Sequence, residues 1–126
     1  MNEDKRVRPR INYTNHILCY KHIPVNRNEI SDPAPMRITI ENMSYSGLGI
    51  LTTRKLVTGD VLAFNLENAG EKKEVTLEVV WCRYYDGEYE AGLRFINLTR
   101  EIIFFLDRLM KNYLRQKNHS YNVSLI

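Results

Sequence analysis

The stretch 75-VTLEVVWCRYYDGEYEAGLRF-95 decides the fold. Val75, Leu77, Val79 and Trp81 recur every second residue, and Tyr89, Ala91, Leu93 and Phe95 repeat the pattern on the way back. Successive side chains of a strand point to opposite faces, so an apolar set at period two marks a half-buried strand. Between the two runs stands Asp86-Gly87, residues that tolerate the positive φ a two-residue hairpin requires. The stretch predicts an antiparallel hairpin. Trp81, in phase with Val75, Leu77 and Val79, is expected on the core face.

The alternation extends in both directions. In 11-INYTNHILCYKHI-23, Ile11, Tyr13, Ile17, Cys19 and Ile23 are expected on one face, with Asn12, Thr14, His16 and His22 on the other. The following 24-PVNRNEISDPAP-35 holds three prolines and reads as a long exposed connection. Met36, Ile38 and Ile40 alternate, then Leu48 and Ile50, then Leu62, Phe64 and Leu66 after a turn at Val57-Thr58-Gly59-Asp60. The polar 67-ENAGEKK-73 reads as a hairpin tip. The period changes once, in 99-TREIIFFLDRLMKNYLRQK-117, where Ile102, Phe105, Leu106, Leu109, Met110, Tyr113 and Leu114 follow helical spacing. Thr99 or Asn97 can cap its start, and Lys111, Arg115 and Lys117 suit the negative end of the helix dipole. The fold class expected is all-β with a C-terminal helix, a small antiparallel barrel or sandwich of six to seven strands. The organisation expected is a flexible arm at 1–10, one domain over 11–117 and a tail at 118–126.

At 126 residues and a net charge of +3, the chain suits one globular domain with its own core. No run of eighteen apolar residues is present to span a membrane. The opening MNEDKRVRPR lacks the apolar stretch of a signal peptide, so a cytoplasmic location is expected. In that compartment Cys19 and Cys82 read as core thiols. Acidic residues are spread among the basic ones, which gives no continuous basic face for duplex DNA.

Catalytic and metal patterns fail on geometry. His16, Cys19 and His22 have the count of a metal site, but on a strand residue 19 faces away from 16 and 22. No nucleophile elbow, phosphate-cradling glycine loop or paired carboxylates are present. The chain reads as a binding protein and not an enzyme. Two short motifs remain. In 6-RVRPR-10, Pro9 biases Arg8 toward an extended backbone, so Arg6 and Arg10 stand roughly 13 Å apart at about 3.3 Å per residue if the chain is straight. In 42-NMSYSG-47, Asn42 and Ser44 favour a turn, and Gly47 permits positive φ or a close approach. Such a turn can present backbone amides to an anion.

Together the motifs Arg6-x-x-x-Arg10 and Asn42-x-Ser44-x-x-Gly47 resemble those of the PilZ domain family. The later 91-AGLRF-95 followed by a helix is similar to that family's closing strand and C-terminal helix. The resemblance implies a six-stranded antiparallel PilZ-like β-barrel and a bacterial receptor for cyclic di-GMP, which the family takes up as one molecule or as an intercalated pair. It implies that Arg6 and Arg10 contact phosphates and guanine edges. It also implies that Asn42 and Ser44 hydrogen-bond the ligand and that Gly47 lets the loop approach it. Arg8 lies outside the family pattern and is read as an auxiliary contact. The chemistry is consistent with this, because a guanidinium fork matches guanine O6 and N7 where lysine does not. No cofactor beyond the ligand is implied. The expected partners are cyclic di-GMP and an unidentified downstream protein, and the apolar helix from Ile102 to Leu114 offers a homodimer face as well as a packing face. Two rival readings are a small-barrel module for single-stranded nucleic acid and a ligand-free interaction adaptor.

Overall fold

A computed structural model describes residues 11–26 and 35–125, with side chains for 14–26 and 35–115. Among the described residues the chain runs β1 (Ile11–Cys19), β2 (Lys21–Ile23), β3 (Met36–Met43), β4 (Gly47–Thr52), β5 (Val61–Asn68), β6 (Glu71–Tyr85), β7 (Glu88–Ile96) and α1 (Arg100–Leu125). The strands form one antiparallel sheet in the order β1-β3-β4-β7-β6-β5-β2. Its outermost strands, β1 and β2, are separated in sequence by Tyr20 alone. A seven-stranded sheet whose two ends are one residue apart has to curl, and β1 comes against β5. The result is the expected small antiparallel fold, a half-barrel with a C-terminal helix.

Tyr20 also reverses the facing of the chain. Cys19 is buried, but beyond Tyr20 it is His22 that is buried and Ile23 that is exposed. The alternation expected across 11–23 therefore fails at its last turn. One residue outside the ladder shifts the phase of a period-two pattern and turns each later side chain over. His22 gains a partner in exchange, its Nε2 lying 3.0 Å from Asp60 Oδ2. Asp60 also accepts the Val25 and Val57 amides, at 2.9 and 3.1 Å, and its backbone carbonyl accepts the Val79 amide. Asp60 thus ties β2 to the turn before β5 through its buried carboxylate, and that turn to β6 through its backbone. Burial opposes its charge, but the His22 ring and the two amides outweigh that and hold its carboxyl below the ordinary range.

Both tight hairpins have the backbone their residues allow. Asp86 and Gly87 lie at φ 55° and 86°, Ala69 and Gly70 at 52° and 86°. These are mirror-type turns whose twist matches that of the strands. Inside the curl, Met36, Ile38, Ile40, Leu62, Leu66 and Leu77 share one core with Phe105, Leu106, Leu109 and Met110 of α1. The helix thereby closes the open side of the sheet, each such side chain contributing roughly 1.5–3 kcal/mol on burial. Thr99 Oγ1 accepts the Ile102 amide at 3.2 Å and is the cap. The helix continues to Leu125, beyond the boundary expected at residue 117. Residues 118–125 contain neither proline nor glycine, so nothing local stops it and most of the expected tail is helical backbone.

Candidate functional site

Asn42, Ser44 and Gly47 form the end of β3, the turn and the start of β4. The Ser44 amide donates to the Gly47 carbonyl at 2.9 Å. Ser44 Oγ accepts the Ser46 and Gly47 amides, both at 3.3 Å, and lies 3.0 Å from Ser46 Oγ. Ser44 is buried and its hydroxyl holds the turn together; Ser46 is the exposed hydroxyl of the pair. Gly47 has no positive φ. A Cβ there would lie 1.9 Å from the Leu93 carbonyl oxygen, so glycine is required for β4 to approach β7.

The register then builds a floor. Asn42 pairs with Gly49, Gly49 with Gly92, and Gly92 with Trp81, one rung across four strands. A Cβ on Gly49 would meet the Asn42 amide at 2.7 Å, and one on Gly92 would meet the Trp81 indole at 2.3 Å. The Asn42 amide and the Trp81 ring thus lie over two bare glycines, facing each other along the rung. Asn42 Oδ1 is buried with no hydrogen-bond partner among the described residues. Ser44, Ser46, Gly47, Gly49, Trp81 and Arg94 border a depression of about 210 Å³ here. Arg94 is ion-paired with Glu78 at its rim.

Trp81 was expected in the core and is 44 % exposed. The cause is a β-bulge: Val79 pairs with Leu93 and Trp81 with the next residue, Gly92, so Val80 is extra on β6. The extra residue flips the phase and turns Trp81 outward. The same outward face continues to Arg83, whose guanidinium lies 6.0 Å from the Trp81 ring and 5.7 Å from the Tyr85 ring and pairs with Glu90. Sequence reasoning placed Trp81 in the core and did not single out Arg94, Gly49 or Gly92 as site residues. The available signal was the pair of small residues in 47-GLGI-50 and 91-AGLRF-95, which align only once the register is known.

Arg6, Arg8 and Arg10 lie outside the described residues. The first described residue, Ile11, pairs with Met43, next to Ser44. Three larger depressions, about 380 Å³ around His16, Arg37 and Glu88, about 530 Å³ between β1 and β5 and about 480 Å³ around Val25, Lys55 and Val57, contain none of the motif residues. Among the described residues no helix is long and apolar enough to cross a membrane, and no group of three His, Cys, Asp or Glu could hold a metal ion.

The family model of the PilZ domain matches residues 4–116. Among solved structures the chain is similar to the PilZ domain with c-di-GMP of YcgR from Escherichia coli, with a TM-score of 0.70 at 16% identity over 94% of this chain and 98% of that one. A search of curated proteins gave no match.

Proposed function

The chain belongs to the PilZ domain family, and from that premise we propose that it is a cytoplasmic receptor for cyclic di-GMP that signals to a protein partner. The observation that carries this is the single rung from Asn42 to Trp81. It supplies an unpartnered amide oxygen at one end and an exposed indole at the other, each lying flat over a glycine that leaves it room against the sheet. The similar YcgR domain is described with c-di-GMP, which supports the same ligand class here.

In this reading the floor is open, because about 210 Å³ is below the roughly 300–1,000 Å³ typical of enclosed ligand pockets. The arm 1–10 supplies the missing wall. Arg10 directly precedes Ile11, the residue paired with Met43, so the arm joins the domain beside the turn. Arg6 and Arg10 engage phosphates and guanine edges, with Arg8 auxiliary; Trp81 stacks a base; Asn42 Oδ1 accepts from the ligand; Gly47 keeps the turn flush with β7. Ser44, whose oxygen already accepts two amides, reaches the ligand by donating its O–H in place of its contact with Ser46 Oγ. No cofactor takes part, and a second copy docked along α1, where Ile103 and Phe104 are exposed, is the homodimer this reading allows.

Titration calorimetry with cyclic di-GMP, using GTP and cyclic di-AMP as controls, is the direct test. Binding of cyclic di-GMP alone is expected. Arg6→Ala and Arg10→Ala should each cost about 2–3 kcal/mol, roughly 30- to 150-fold in affinity. Undiminished affinity in both variants would remove the arm from the site.

A further inference from the structure

The turn that carries Ser44 and Gly47 is bonded to the C-terminal helix. Tyr45, between them, packs its ring against the core and donates its hydroxyl to Asp107 Oδ1 of α1 at 3.0 Å. Lys111 holds the other carboxylate oxygen at 3.0 Å. Burial, and then the Asp107 carboxylate, push the Tyr45 phenol up, so it remains a donor through the neutral range. Elsewhere α1 is tied to the β5–β6 hairpin, through Glu101 to Lys73, Arg108 to Glu71 and Asn112 to Asn68. The turn of the candidate site is thus one of the places at which polar contacts fasten the helix.

That turn is stiff. Its internal bonds, and the bond from the Phe95 amide to the Ser46 carbonyl, make Ser44, Tyr45 and Ser46 move together. Ser44 Oγ already accepts two amides and is buried, so a ligand that bonds it takes the remaining O–H away from the Ser46 hydroxyl and shifts the turn to reach it. A displacement of about 1 Å at Tyr45 takes a 3.0 Å bond beyond hydrogen-bonding range.

We propose that the Tyr45–Asp107 hydrogen bond is a latch between the nucleotide-binding turn and α1, released when the turn shifts onto ligand, so that occupancy of the site is read out as loosening of α1. The ligand arm rests on the function proposed above; the coupling does not. Coupling between two sites is reciprocal, so cutting the latch from the helix side loosens the turn.

Hydrogen exchange on the full chain tests both directions. Without ligand, Asp107→Ala should raise exchange at Ser46 and Gly47, and Tyr45→Phe should raise it across Phe104–Tyr113, each by about five-fold or more. Lys111→Ala, which removes the lysine but keeps the latch, should leave the turn at the wild-type rate. Cyclic di-GMP should raise exchange in α1 of the wild type and add nothing in Tyr45→Phe, whose affinity stays equal to or above that of the wild type. Wild-type exchange in unliganded Asp107→Ala and Tyr45→Phe would overturn the latch, as would a full response of α1 to ligand in Tyr45→Phe. A wild type that does not bind cyclic di-GMP overturns the receptor assignment instead, and the unliganded comparison still decides the coupling.

Discussion

Gly47 and Trp81 show how differently two residues of the candidate site can act. Gly47 belongs to the motif, yet its surroundings are structural: the Leu93 carbonyl occupies the space a side chain would need. Backbone cannot swing aside as a flexible side chain can. Gly47→Ala should therefore destabilise the domain by about 3 kcal/mol, read as a lowered urea midpoint with unchanged slope. Trp81 belongs to neither motif and is half exposed. Trp81→Ala should leave the urea midpoint near that of the wild type while costing about 1–3 kcal/mol of cyclic di-GMP affinity, the range of a lost base–aromatic stack. A large stability loss at Trp81 with intact affinity would mean that the indole only shields Gly92.

At the scale of elements, the short strand β2 is held by its pairing with β5 and by Asp60. The carboxylate is buried at the junction of β2, the Val57–Asp60 turn and β6, and its acceptors serve a histidine and two amides. Asp60→Ala should cost about 3 kcal/mol or more, because it leaves those buried donors unpaired. The sign with pH follows from the lowered folded pKa. The unfolded carboxyl titrates near 3.9, so Asp60 stabilises fully above that value, and the contribution is lost as pH falls through the lower folded value. Wild-type stability should therefore drop below about pH 4. In Asp60→Ala that part of the drop should be absent, which denaturation at pH 3 and pH 6 measures. A variant as acid-sensitive as the wild type would assign the drop to other carboxylates. The helix start follows a simpler rule, with Thr99 capping where a threonine precedes an apolar period, and its far end runs on because no breaker intervenes.

Across the whole molecule, strand order assembles the candidate site: β3, β4, β7 and β6 are neighbours and present one rung as a continuous outer floor, while α1 packs on the core side. With a net charge of only +3 and ion pairs around Arg94 and Arg83, that floor suits a compact ligand over a long polyanion. A linear oligonucleotide should bind more weakly than cyclic di-GMP, without the length dependence and steep salt slope of a single-strand binder. Tight binding that grows with oligonucleotide length would favour the nucleic-acid reading. Local pattern alone determined the strands, both glycine hairpins, the capped helix with its buried face from Ile102 to Leu114, and the pair of motifs that indicated the family. Each of those depends on residues close together in the chain, where periodicity and turn chemistry act directly. Tertiary structure decided the outward turn of Trp81, the burial of His22, the overlay of Gly49 and Gly92 and the bond from Tyr45 to Asp107. A bulge or a one-residue break inverts facing without altering composition, and the register between distant strands is set by pairing partners that no local stretch contains.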